Sequence, residues 1–187
     1  MSSKKSINKV KIAISGKSGC GNTTVSRIIA DTLNLKLINF TFRSLAHEKG
    51  ISLNDILGYA VEDDSWDKEV DTRQVQMAKE SDGCVLGSRL AIWMLADADL
   101  KVFLTASPET RARRIYSREN DSTLEAIEKF TASRDIQDHD RYLRIYDIDN
   151  DNYSFADLVI DTDNISPAEV AEMIISELKK KPDITQS

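Results

Sequence analysis

The stretch Gly16-Lys17-Ser18-Gly19-Cys20-Gly21-Asn22-Thr23-Thr24 constrains this chain more than any other. It follows a short β-branched run, Val10-Lys11-Ile12-Ala13-Ile14, and precedes Val25-Ser26-Arg27-Ile28-Ile29-Ala30, which has helical spacing. Strand, glycine-rich turn and helix in that order are the setting of a phosphate-binding loop. Glycines let the backbone curl until successive N–H groups point inward, and the helix N-terminus adds the positive end of its dipole. The expectation is that residues 16–24, through backbone amides of roughly 19–24, hold the phosphates of a nucleoside triphosphate, with the Thr23 hydroxyl on Mg²⁺. One position breaks the pattern GxxxxGK[ST]. Asn22 stands where a phosphate-gripping lysine belongs, which bears on rate more than on binding, because that lysine stabilises charge on the moving phosphoryl group. Lys17, second in the motif, either reaches back over the phosphates or is a solvated loop lysine.

Five short apolar runs, near 9–15, 35–39, 84–86, 100–104 and 158–160, alternate with helical stretches. That pattern predicts an α/β fold with a five-stranded parallel sheet flanked by helices. Helices are expected at 22–33, at 41–49 with a stop at Gly50, from a cap at Ser52, at 66–80, at 89–96, and from Pro108 to about 146. A last helix opens at Pro167, and the residues after Lys181 are expected to fray. Right-handed crossovers put the loop after each strand at one edge of the sheet. Residues 16–24, 39–43, 87–89 and 105–108 should therefore converge on one cleft.

A length of 187 residues suffices for one domain with a real core. The net charge of −6 offers no broad face for neutralising nucleic-acid phosphates. Cys20 and Cys84 are too few for a disulfide framework and read as reduced thiols. No apolar run approaches membrane-spanning length, and Met1-Ser-Ser-Lys-Lys-Ser has no apolar segment behind it. The expectation is a cytoplasmic monomer without nucleic-acid or membrane partners. His47 and His139 lack cysteine or histidine partners at zinc-ligand spacing, and Trp66, Trp93 and Phe103 read as core. Cys20 is either a helix-N-terminal thiol of lowered pKa or a small residue that fits.

Seven of the eleven arginines (Arg111, Arg113, Arg114, Arg118, Arg134, Arg141 and Arg144) lie between residues 111 and 144. Interleaved acids make helix-surface pairs the expected role of Arg113, Arg114 and Arg144. Arg134, Asp138 and Arg141 differ, since i, i+4, i+7 spacing puts them on one helix face. Two guanidiniums around a carboxylate suit a phosphate clamp on a closing lid that excludes water. Arg43 and Arg89 each follow an expected strand at the ligand edge, where bidentate binding of an acceptor phosphate is favourable. Glu62-Asp63-Asp64 reads as a solvated helix end, and Asp67, Asp71 and Arg73 are candidates for the acceptor pocket.

Taken together, these residues resemble the cytidylate kinases, specifically the short archaeal-type branch of the P-loop nucleoside monophosphate kinases. The likeness runs through Phe42-Arg43-Ser-Leu-Ala-His-Glu-Lys-Gly50, Glu62-Asp63-Asp64, Asp67, Asp71-Thr-Arg73-Gln74, and Leu86-Gly-Ser-Arg89-Leu-Ala-Ile-Trp93. It continues in Leu104-Thr-Ala-Ser-Pro-Glu-Thr-Arg111, Arg141-Tyr-Leu-Arg-Ile-Tyr-Asp-Ile-Asp149 and Tyr153-Ser-Phe-Ala-Asp157, so that it spans about residues 10–175. The resemblance implies a single P-loop kinase domain. Its core would be 9–39, 83–112 and 147–180, its helical NMP-binding segment 40–80 and its helical lid 115–145. It implies transfer of phosphoryl from ATP to CMP or dCMP with Mg²⁺, with Lys17, Arg134 and Arg141 in catalysis. Arg43, Arg89, Arg134, Asp138 and Arg141 would bind CMP. Two departures stand out: Asn22 for lysine, and Gly87 where relatives often carry glutamate. Two other readings stay open, another small P-loop kinase and a catalytically weak nucleotide-binding regulatory module.

Overall fold

A computed structural model of the chain describes residues 4–118 and 123–185. Residues 119–122, inside the expected lid, and 186–187 of the tail lie outside the described residues. Two short elements open the chain, β1 (Lys5–Ser6) and a 3₁₀ turn (Ile7–Lys9). Then come β2 (Lys11–Gly16), α1 (Asn22–Leu33) and β3 (Lys36–Ile38). Three helices follow in succession, α2 (Phe42–Lys49), α3 (Leu53–Glu62) and α4 (Ser65–Lys79). The alternation resumes with β4 (Cys84–Gly87), α5 (Ala91–Met94), β5 (Leu100–Thr105) and α6 (Pro108–Tyr116). It ends with α7 (Leu124–Tyr146), β6 (Leu158–Asp161), α8 (Pro167–Lys180) and β7 (Ile184–Thr185).

The five-stranded sheet has the order β3-β4-β2-β5-β6, and all its neighbours are parallel. Its strands are apolar on both faces because both faces are covered. On β2, Ile12 and Ile14 pack with α1 and α8, joined by Val85, Val102 and Leu104. Ala13, one residue out of phase, belongs to the opposite layer with Leu86, Phe103 and Ile92. Helices α2, α3 and α4 bury a separate cluster of Phe40, Leu45, Ile56 and Val70, and α6 and α7 share Ala112, Ile115 and Ile127. The register aligns Ile14 with Gly87 and Gly16 with Leu104, so the loops after β2, β4 and β5 emerge at one edge.

Local signals read from sequence recur in the structure. Gly50 ends α2 in the left-handed region at φ 67°, and the Ser52 hydroxyl accepts from the Asp55 N–H to start α3. Three expectations need correction. The helix expected over 89–96 is a single turn, because Ser88 is still tied to the sheet through its N–H to the Ile14 carbonyl. The stretch from Pro108 onward is two helices rather than one. The tail does not fray after Lys181: β7 pairs in parallel with β1, and Ile184 joins the core beneath α8. Phe103 is buried, whereas Trp93 and Trp66 are only half-buried; Trp93 meets Phe103 edge-on at 5.9 Å.

Candidate nucleotide site

The loop after β2 is shaped from outside. Buried Arg111, on α6, donates from Nε to the Ser18 carbonyl at 2.7 Å and grips both oxygens of Asp135 on α7 at 2.7 and 2.8 Å. Arg114, one turn on, donates to the Gly19 carbonyl at 3.2 Å and to the Thr162 hydroxyl oxygen at 2.9 Å. The Thr162 hydroxyl in turn lies 3.2 Å from the Cys20 carbonyl. Three successive loop carbonyls are thus held outward. Among the described residues, the N–H groups of Ser18, Gly19 and Gly21 through Thr24 donate to no protein acceptor, the condition an anion cradle requires. Gly19 is indispensable to this shape. Its φ is +89°, and a Cβ there would stand 2.8 Å from the Arg111 Cα.

Asn22 faces back into its own loop. Its Nδ2 donates to the Gly16 carbonyl at 2.7 Å and closes the loop on itself, while its buried Oδ1 has no hydrogen-bond partner. Thr23 is exposed toward the cavity. Cys20 is 2% exposed, and burial raises its thiol pKa, which the nearby Arg111 and Arg114 only partly offset, the opposite of a helix-N-terminal thiol of lowered pKa. A cavity of about 470 Å³ opens on the loop. It continues between Arg114, Ser117 and Arg118 on one side and Thr162, Ile165 and Pro167 on the other, a size and lining suited to a nucleoside.

A chain of contacts leaves the loop in the opposite direction. Arg89, just past β4, donates to the Ser18 hydroxyl oxygen at 2.6 Å and pairs with Asp138 of α7 at 3.1 Å. Asp138 also receives Arg141 at 2.8 Å, with the Arg134 Nε 3.9 Å away. The Arg141 Nε lies 3.6 Å from Asp67 of α4. Further along the same two helices, Tyr146 donates to Asp71 at 2.7 Å, and Arg144 grips Asp64 with bonds of 3.1 and 2.7 Å. Burial raises the carboxyls of Asp67 and Asp71, whereas hydrogen bonding from Arg144 lowers that of Asp64.

Comparison with known proteins fits this geometry. Residues 11–164 match the Cytidylate kinase-like family. The chain belongs to that family. The protein named Cytidylate kinase 2 of Borreliella afzelii is 45% identical over 176 residues, covering 92% of this chain and 98% of that one. The cytidylate kinase of Pyrococcus horikoshii is 41% identical over 169 residues, covering 89% and 87%. In solved structures, the shikimate kinase of Bacteroides thetaiotaomicron superposes with a TM-score of 0.61 at 16% identity, over 92% of this chain and 99% of that chain. At that identity the likeness is one of fold, the P-loop kinase architecture. Membership of the cytidylate kinase-like family makes the chain a kinase, and no helix among the described residues is long and apolar enough to cross a membrane.

Against this family background, the residues singled out in the sequence divide unevenly. The structure brings Arg89, Arg134, Asp138 and Arg141 together beside the loop. Arg43 stays apart: it is exposed on the first turn of α2 and has no ion pair or hydrogen bond among the described residues. Lys17 pairs with Asp151, 2.7 Å away, and Asp151 lies 3.6 Å from His139. Arg73 pairs with Glu48 and lies over the Phe40 ring. Arg113 makes the expected i, i+4 pair with Glu109, but Arg114 and Arg144 do not behave as helix-surface arginines. Their partners, Gly19, Thr162 and Asp64, are far away in sequence, so no local spacing rule could find them. Arg111 and Asp135 were missed for the same reason. Glycine at 87 has a steric cause, since a Cβ there would sit 2.2 Å from the Ser26 Oγ of α1 and glutamate has no room.

Proposed function

We propose that the chain transfers the γ-phosphoryl group of ATP to the phosphate of CMP, or of dCMP, releasing ADP and the nucleoside diphosphate. The observation that carries this reading is the run Ser18–Arg89–Asp138–Arg141, in which the Arg89 guanidinium touches the loop and shares Asp138 with that of Arg141. Paired arginines there suit an acceptor that is itself a phosphate, unlike the hydroxyl acceptor of a hydroxy-acid kinase. Loop amides of residues 18–24 would hold the ATP phosphates at the N-terminus of α1, and the nucleoside would fill the cavity toward Arg118 and Ile165. Thr23 would hold Mg²⁺, which when bound neutralises charge on the β- and γ-phosphates.

Arg89, Arg134 and Arg141 would screen the acceptor phosphate so that one of its oxygens can approach the γ-phosphorus. The new P–O bond forms as the β–γ bridge breaks, in line and without an enzyme-bound intermediate. Asp138 holds those arginines in place. Residues 40–80 would form the acceptor segment, with Arg43 swinging onto the phosphate, and residues 115–145 the lid that excludes water. Lys17 would exchange Asp151 for the phosphates as the site fills.

A coupled assay across CMP, dCMP, UMP, AMP and GMP tests the reading. The expected result is the highest kcat/KM for CMP, with dCMP accepted and turnover on the order of 1–100 s⁻¹. A clear preference for AMP or GMP would sink the cytidylate assignment, and ATP binding with negligible turnover would favour the weak binding module instead. For Asn22→Lys, kcat is expected to hold or rise, by up to about tenfold. A lysine ammonium can still donate to the Gly16 carbonyl, and the unpartnered Oδ1 disappears. A large fall in kcat, read in the same assay, would mean that Asn22 and Lys17 form a substitute arrangement which lysine disrupts.

A further inference from the structure

The phosphate loop carries one cationic side chain. Of residues 16–24 only Lys17 is charged, since Asn22 occupies the usual lysine position and its amide is spent on the Gly16 carbonyl. A phosphoryl group in transfer needs positive charge at its oxygens. Either Lys17 supplies the loop's share of it, or the loop offers backbone amides alone. Lys17 is well situated for the first. It lines the cavity of about 470 Å³ that opens on the loop, and it borders a second, narrower cleft together with Arg89, Asp138 and Asn150. Its side chain therefore stands on the boundary between the proposed donor cavity and the proposed acceptor arginines.

Its partner is loosely paired but firmly placed. The Lys17 ammonium is 2.7 Å from Asp151, and the two side chains are 33% and 54% exposed. An ion pair so open to water is weak, so the ammonium can exchange the carboxylate for phosphate oxygens without leaving a buried charge behind. The carboxylate itself is aimed by the loop that follows α7. That helix ends at Asp147 in the left-handed region, at φ 56°, and the Ile148 N–H returns to the Tyr142 carbonyl. The Asp151 N–H donates to the Asp149 carboxylate at 2.9 Å, and buried Asn150 places its Oδ1 2.9 Å from the His139 Nδ1 of α7. Asp151 is thereby tied to the helix that also carries Arg134, Asp138 and Arg141.

We infer that Asp151 is a positioning residue that presents Lys17 to the transferring phosphoryl group, and that the two together stand in for the lysine missing at position 22. The inference rests on the proposed kinase reading and adds to it the residue that holds this charge in place. No bond or proton passes through Lys17; its ammonium exchanges one anionic partner for another. Asp151 acts only through Lys17, so its effect must vanish when that lysine is gone.

The test measures kcat, the KM of ATP and the KM of CMP, with thermal melting, for Lys17→Met, Asp151→Asn and their combination. Each is made with Asn22 in place and again with Asn22→Lys. Lys129→Met, which removes an exposed lysine paired with Glu125 on α7, is the control expected to match the wild type. With Asn22 in place, Lys17→Met should lower kcat about 100-fold, the cost of one preorganised donor to developing charge, and raise the KM of CMP less than about threefold. Asp151→Asn should lower kcat about tenfold, through lost orientation alone. Asp151→Glu, which keeps the carboxylate, should recover part of that loss. Adding Asp151→Asn to Lys17→Met should cost nothing more, a non-additivity that a merely structural role would not produce. With lysine at 22, Lys17→Met should cost less than about threefold, because the charge then comes from the usual position. Melting of the Lys17 and Asp151 variants should stay within about 2 °C of the parent, since the pair is exposed.

Lys17→Met with wild-type kcat, or with an equal loss when lysine stands at 22, overturns the stand-in. Losses at Lys17 and Asp151 that multiply make Asp151 a structural residue of its loop and overturn its positioning role. Either result leaves the kinase reading standing. A wild type that phosphorylates no nucleotide of the panel overturns the kinase reading, and this inference with it.

Discussion

Replacing Arg111 by alanine should lower kcat/KM for ATP about 100-fold and remove about 2–3 kcal/mol of stability. The side chain is 5% exposed and spends all of its fork on two partners, the Ser18 carbonyl and the Asp135 carboxylate. Removing one member of a fully buried ion pair costs about 3–5 kcal/mol, because the other is left charged and unpaired. Asp135 is 21% exposed, so solvent recovers part of that cost. In a chain of this length the loss corresponds to a fall in Tm of roughly 5–10 °C. The kinetic effect follows from the other contact: with the Ser18 carbonyl released, the neighbouring amides are no longer aimed, and an oriented anion site becomes a flexible turn. Arg111→Lys should recover part of the stability but little of the ATP affinity, since a point charge cannot serve a carbonyl and two carboxylate oxygens at once. Calorimetric unfolding and ATP titration check both halves. A Tm shift under about 2 °C with unchanged ATP affinity would show that the loop holds its shape without this arginine.

Arg89→Ala is expected to act on the chemistry and spare the fold. Arg89 joins the two halves of the site through the Ser18 hydroxyl of the loop and Asp138 of α7. Its loss leaves Asp138 with Arg141 still bonded at 2.8 Å, so no isolated buried charge is created and Tm should change little. The missing guanidinium is one that would screen the acceptor phosphate during transfer. Removing a single preorganised donor to developing charge costs about 100- to 1000-fold in kcat, and kcat/KM for CMP should fall by at least as much. The KM for ATP should move less than about tenfold, because the loop amides and α1 remain in place. Steady-state kinetics with each substrate varied in turn gives both numbers. An equal loss for ATP and CMP would make Arg89 a prop of the loop through Ser18, not an acceptor ligand.

The contrast between these arginines shows where sequence reasoning reaches. Arg89 was legible because it stands two residues beyond an apolar run, at the edge where parallel sheets bind ligands. Arg134, Asp138 and Arg141 were legible because helical periodicity alone puts them on one face. Arg111 and Arg114 carry the same side chain a few residues away, amid acids that make helix-surface pairing the natural reading. Only the packing of α6 across the phosphate loop, with Gly19 admitting the Arg111 backbone, turns them inward. Arg43 is the converse case, well placed by pattern but exposed and without a side-chain partner among the described residues.

By itself, the sequence determined the parallel sheet, the phosphate loop on its leading strand and the arginine face of α7. Each depends on residues close together in the chain, through short continuous apolar runs, glycine conformational freedom and the helical repeat. Tertiary structure alone decided which arginines shape the loop and which gather on Asp138. It also decided that Lys17 rests on Asp151, that Asn22 closes the loop through the Gly16 carbonyl, and that the buried Arg141 Nε has no hydrogen-bond partner among the described residues. Those outcomes depend on partners tens of residues away, and a guanidinium or carboxylate takes whichever partner the fold brings within about 3 Å.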